Sequence, residues 1–128
     1  MMNNQFNYEV RDSQELKQSL NDFYYYTREH FKNTLYSLSY KCYTNAMKCY
    51  SELTEIEQAE NCFVKAINPL KRYNEKYDKI WVNNTYLLKK CIANIQEPNE
   101  LSKCFNNFAK KTYNKLLKIN LKYKSLYV

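Results

Sequence analysis

The residues in this chain best suited to chemistry are its five cysteines, and four of them share one spacing. Twelve residues separate Cys49 from Cys62, and twelve separate Cys91 from Cys104. The flanks repeat as well: Lys48-Cys49 and Lys90-Cys91 open the pairs, and Cys62-Phe63 and Cys104-Phe105 close them. The chemistry this suggests is oxidation of thiols to structural disulfides. In a helical background the duplication suggests two helical hairpins, each stapled by one bond. Four cysteines pair in three ways, and the sequence leaves the choice open. Local pairing joins Cys49 to Cys62 and Cys91 to Cys104. Nested pairing joins Cys49 to Cys104 and Cys62 to Cys91. Cys42 is left over and reads as a small buried hydrophobe.

Other chemistries lack their parts. A zinc site wants short CxxC or HxxxH pairs, and the chain has neither. Its single histidine, His30, lies beside Phe31 and reads as a boundary residue. Cys42 and His30 could form a nucleophilic pair only with an orienting acid and an oxyanion donor loop, and nothing nearby supplies these roles. Glu55, Glu57 and Glu60 cluster where a helix starts, and there they complement its dipole. Asn83-Asn84-Thr85 matches a glycosylation sequon by chance. The chain contains no glycine, which excludes P-loops and Rossmann turns. The expectation is a protein that is not an enzyme and uses no cofactor and no metal.

The elements that must position the cysteines are helices. With 128 residues the chain is long enough for one domain with a modest core. Only Pro69 and Pro98 interrupt it. The expected fold is all-α: three long helices in a hairpin arrangement, stapled by disulfides, in a single domain over 1–128. A polar segment, 1–12, comes first, and its first ten residues are expected to be ordered only by a partner. Asp12 and Glu15 supply a cap for helix A, about 13–51. Its apolar stripe is Leu16, Leu20, Phe23, Phe31, Leu35, Leu38, Cys42, Ala46 and Cys49. Thr54 and Glu57 form a capping box for helix B, about 54–95. Its stripe is Ile56, Ala59, Phe63, Ala66, Leu70, Tyr73, Tyr77, Ile80, Leu87 and Cys91. Pro69 predicts a kink or a short break. Helix C, about 99–126, starts near Pro98 and buries Leu101, Phe105, Phe108, Leu116, Ile119, Tyr123 and Leu126. Cys62 lies eight residues past Thr54, about 12 Å along a helix. Local pairing therefore predicts that helix A ends before Cys49 or that the connection is loose.

Charge is unevenly placed. The chain carries 20 basic and 13 acidic residues, a net charge of +7. All of the excess lies after Glu100, where Lys103, Lys110, Lys111, Lys115, Lys118, Lys122 and Lys124 stand without an acid among them. Helix C thus predicts an anionic-surface binding face made of Lys110, Lys111, Lys115, Lys118 and Lys122. Fourteen tyrosines and six phenylalanines suit a partner interface. No apolar run approaches the roughly 20 residues that span a bilayer. Residues 1–12 show neither a hydrophobic signal region nor an arginine-rich presequence. Disulfides without a signal peptide lead to the expectation of the mitochondrial intermembrane space, where oxidation traps imported chains.

Two families are similar in layout. The nested pattern resembles the coiled-coil-helix–coiled-coil-helix proteins, whose twin CX9C motifs sit on facing helices; here the spacer is twelve. The local pattern resembles the small Tim chaperones, in which two CX3C motifs flank a turn. Cys49 and Cys62 match the inner positions of that pattern. The outer positions fall on Asn45 and Ala66, and in the second half on Leu87 and Phe108. Both resemblances imply a helical hairpin in the intermembrane space.

Three functions follow in order. The first is a non-catalytic accessory subunit of a respiratory-chain complex, peripheral to the inner membrane on its intermembrane-space side. Its partners would be other protein subunits and anionic phospholipid headgroups. The second is a small Tim-like chaperone. The third, in which the cysteines stay reduced, is a nucleic-acid or ribosome-associated protein, with Tyr113, Tyr123 and Tyr127 interleaved among the lysines.

Overall fold

The structure is a computed structural model that describes residues 6–127. It is all-α, three long helices in a hairpin arrangement stapled by two disulfides. The helices are α1 (Ser13–Glu52), α2 (Ile56–Ala93) and α3 (Glu100–Tyr127). No strand occurs among the described residues.

Each helix start has a visible cause. At α1, the Glu15 amide donates to Asp12 Oδ1 at 2.9 Å, so Asp12 is the cap. Glu15 reaches further back than a capping box requires. Its carboxylate accepts from the Arg11 amide at 2.8 Å and from the Arg11 guanidinium at 2.8 and 3.1 Å. Those bonds hold the Glu15 carboxyl below its usual range. At α2, the Glu55 carbonyl accepts from the Ala59 amide at 3.0 Å, which starts the helix at Ile56, two residues after Thr54. At α3, Glu100 Oε2 accepts from the amides of Gln96 and Glu97 at 2.6 and 3.3 Å. These amides lower the Glu100 carboxyl, and they tie the turn to the helix it precedes.

Helix α2 runs unbroken through Pro69, so the short break is absent. Proline removes one helical hydrogen bond, at a cost of about 3 kcal/mol. Leu70 and Tyr73, immediately after it, are buried, and their packing offsets that cost.

The helices build two compact units, each from parts of all three. The first unit combines residues 6–30 with 78–117. Phe23, fully buried, is its hub. Phe6, Tyr8, Trp81, Phe105 and Phe108 all place ring centroids 5.5–6.5 Å from it. Residues 6–10 belong to this core, against the expectation that a partner orders them; residues 1–5 lie outside the described residues. Phe6 and Val10 are buried and Tyr8 is half-buried, while Asn7 and Glu9 between them are exposed. The segment lies on α3 through its backbone. Asn106 Oδ1 accepts from the Tyr8 amide at 2.7 Å, and Asn106 Nδ2 donates to the Tyr8 carbonyl at 2.9 Å. Ser102 Oγ accepts from the Val10 amide at 2.8 Å and donates to the Val10 carbonyl at 3.0 Å. Four polar groups of a non-helical strap are thereby satisfied by two side chains.

The second unit combines residues 31–77 with 118–127. Leu38, Cys42, Leu70, Tyr73 and Tyr123 form its buried centre, flanked by Leu35, Tyr77, Ile119 and Tyr127.

Polar residues complete both cores. Thr27 and Thr112 are fully buried, and Asn84 and Asn120 nearly so. Thr27 Oγ1 donates to the Tyr24 carbonyl at 2.9 Å. In the first unit Asn84 Nδ2 donates to Thr112 Oγ1 at 2.9 Å. In the second, the Tyr73 hydroxyl donates to Asn120 Oδ1 at 2.7 Å. The apolar stripes hold except at four positions. Ile56, Leu87, Cys91 and Leu126 are exposed. Leu88 takes the place of Leu87, because the buried Asn84 four residues earlier sets the inward face.

Burial pushes the Tyr73 hydroxyl up to about 12, and Tyr77 adds to the shift. The native state therefore keeps Tyr73 protonated where the unfolded chain, with an ordinary value near 10, ionises. The stabilisation is complete below pH ~10 and falls between pH ~10 and ~12, by at most about 1.4 kcal/mol per pH unit. In urea titrations across this window, Tyr73→Phe should flatten the alkaline loss relative to the native chain. An unchanged slope would assign the loss to Tyr8 and Tyr113, which burial also raises.

Candidate interaction surface

The four paired cysteines resolve in the local pattern. Cys49 bonds to Cys62 with Cα atoms 5.7 Å apart, and Cys91 to Cys104 at 5.8 Å. Both distances lie in the comfortable range for a disulfide. Helix α1 continues past Cys49 to Glu52, so of the two alternatives expected, an early end of the helix or a looser connection, the first does not occur. The late start of α2 explains this. Cys62 lies only six residues, about 9 Å, from the start of its helix. A short connection then brings both sulfurs to the same level.

Cys42 is a buried thiol in the centre of the second unit. His30 belongs to the first unit, where its ring stacks on Tyr26 at 5.6 Å. The Tyr113 hydroxyl and His30 Nε2 share a hydrogen bond of 3.1 Å. Each is thus part of a different packed cluster. Glu55, Glu57 and Glu60 are exposed at the start of α2. Among the described residues no three histidine, cysteine, aspartate or glutamate side chains converge as metal ligands. The largest cavity described, about 930 Å³, is an open groove bounded by the strap at Asn7–Arg11 and by Pro98, Ser102 and Asn106. Its polar walls are already bonded to each other through Ser102 and Asn106.

The lysines of α3 reach solvent in both units. Lys110, Lys111, Lys115, Lys118 and Lys122 are all exposed. The first three lie in the part of α3 that belongs to the first unit, and the last two in the part that belongs to the second. Lys111 and Lys115 are four residues apart in the first unit and Lys118 and Lys122 four apart in the second, so each pair shares one side of its helical stretch. Lys115 Nζ touches Asn84 Oδ1 at 3.5 Å. No carboxylate pairs with any of the five among the described residues. On the adjoining side of the helix Phe105, Phe108, Thr112, Leu116 and Tyr123 are buried. The packing of that side leaves the lysine head groups at its border with solvent.

Sequence reasoning missed a second exposed feature. Tyr36, Tyr40, Tyr43, Met47 and Tyr50 on α1 are all exposed. Their steps of four and three were readable beside the buried stripe, which lies on a different side of the same helix. No helix described is long and apolar enough to cross a membrane. Neither a family model, nor a curated protein, nor a solved structure matches this chain.

Proposed function

We propose that this chain is a non-catalytic accessory subunit, a disulfide-stapled helical scaffold that docks to an anionic surface through α3. The reading extends to the intermembrane-space side of the mitochondrial inner membrane, with partner subunits of a respiratory complex packing on its aromatic surface. One observation carries it: the five lysines of α3 are exposed and unpaired with acids, on a stretch of chain that contains no acid after Glu100. A solvated helix face usually intersperses both signs, whereas this one is basic alone. The two staples fit a compartment that permits oxidised sulfur.

Each lysine near an anionic membrane contributes about 1 kcal/mol. Replacing Lys111, Lys115, Lys118 and Lys122 with glutamine should weaken binding to equimolar phosphatidylcholine–phosphatidylserine vesicles by roughly 100- to 1,000-fold. Phosphatidylcholine vesicles alone should retain neither protein. Co-sedimentation at low and physiological salt reads the result. Equal retention of native and substituted chains would remove the lipid reading. Absence of vesicle binding, together with RNA retardation that falls steeply with salt, would move the lysines to nucleic acid.

A further inference from the structure

Within the second unit, α1 presents a seam that its own core leaves uncovered. Tyr36, Tyr40, Tyr43, Met47 and Tyr50 are between 48% (Tyr43) and 76% (Tyr40) exposed. Their steps of four, three, four and three are the spacing of a two-stranded coiled coil, in which large side chains repeat every 3.5 residues. The buried stripe of the same stretch, Leu38, Cys42, Ala46 and Cys49, faces elsewhere. Two of the tyrosines are held by a neighbour. Phe63 lies 6.4 Å from the Tyr43 ring and 5.8 Å from the Tyr50 ring. The seam is therefore partly ordered before anything binds, which lowers the entropy of docking.

We propose that this seam is an interface between two copies of the chain, with α1 packing antiparallel on α1 about a two-fold axis. The flanks argue for a second copy. Residues beside a coiled-coil seam set partner choice by charge. Here they are Ser37, Ser39, Thr44 and Ser51, all uncharged, and Ala46, which is buried against the chain's own core. Lys41 and Lys48 sit one position further out, and no acid occurs between Lys32 and Ser51. Nothing at the seam repels an identical helix, and nothing selects a charged one. The pattern is also self-complementary. An antiparallel pair places Tyr40 opposite the partner's Tyr43 and Tyr36 opposite the partner's Met47, so sulfur meets an aromatic ring at both ends. A tyrosine buries about 150–250 Å² when fully covered; since these four tyrosines and Met47 are already partly covered, the five offer roughly 600 Å² per copy. That places the contact at the lower edge of stable interfaces, roughly 1,200 Å² in total. A reversible dimer of micromolar affinity is the expected state. It does not depend on what α3 binds.

Analytical ultracentrifugation tests the interface, with circular dichroism as the check on folding. The native chain should sediment as a concentration-dependent dimer. Tyr40→Lys and Tyr43→Glu should each raise the dissociation constant at least about a hundredfold. Mixing the two variants should restore association, because Lys at position 40 then faces Glu at position 43 across the antiparallel seam. Tyr40 is the most exposed of the five, so its replacement leaves the core intact. A native chain that stays monomeric at high concentration overturns the proposal and leaves the seam to a different partner. A dimer that neither substitution weakens places the contact elsewhere. Variants that dissociate singly but do not recover on mixing refute the antiparallel register.

Discussion

Full reduction of the two disulfides should lower stability by about 6 kcal/mol, roughly 3 for each staple. Both bonds close loops of sequence separation 13, and a loop near this size contributes about 3 kcal/mol, chiefly by restricting the unfolded chain. The two loops share no residue, so their effects should add. Domains of this kind hold about 5–15 kcal/mol in all. The reduced chain should accordingly be largely unfolded at moderate urea, where the oxidised chain is native. Urea midpoints with and without reductant measure this. Paired replacements, Cys49→Ala with Cys62→Ala and Cys91→Ala with Cys104→Ala, separate the two contributions. Midpoints that coincide in oxidised and reduced protein would show that helix packing alone carries the fold. Cys42 stays reduced in both states, so labelling under native conditions should find it protected until the second unit opens.

Phe23→Ala should be the most damaging single replacement in the first unit. The side chain is fully buried, and five other rings lie against it. Truncating a buried phenylalanine costs about 3–5 kcal/mol, through lost transfer energy and the cavity left behind. Loss of several edge-to-face contacts adds to this, at about 0.5–1.5 kcal/mol for a pair. Tyr25→Ala, two residues away on the exposed side of the same helix, should cost no more than about 0.5 kcal/mol. Equilibrium denaturation compares them, and near-ultraviolet circular dichroism reports the ring cluster directly. A cost for Phe23→Ala close to that of Tyr25→Ala would mean that the aromatic hub contributes little.

The contrast between these positions shows what the sequence made legible. Phe23, Leu38, Leu70, Phe105 and Leu116 recur at helical steps, and large apolar residues at those steps have one physical use. The three helices and most of their inward faces follow from that. The duplicated cysteine spacing was equally plain, although only the structure chose between local and nested partners. The strap was harder. Phe6, Tyr8 and Val10 alternate, yet polar neighbours mask the pattern, and the groups that hold its backbone are Asn106 and Ser102, more than ninety residues away. Nothing local announces such a pair. Asn84, Thr112 and Asn120 entered none of the apolar stripes, because a buried polar residue makes sense only beside its partner. Without Asn84 to mark the inward face, Leu87 was placed there in place of Leu88. The exposure of the α3 lysines was legible because charged side chains on an amphipathic helix reach solvent. The tyrosine seam on α1 carried its signal in steps of four and three and was hidden by a second apolar stripe on the same helix.

Both staples straddle a corner of the hairpin: one spans the connection 53–55, the other the connection 94–99. A protease that nicks either corner therefore releases no fragment, since the severed ends stay joined through sulfur within a few residues of the cut. Residues 53–55 and 96–99 are exposed, so these corners are open to attack where scission does least harm. In a compartment rich in peptidases, it would keep its helices in place after its loops had been opened.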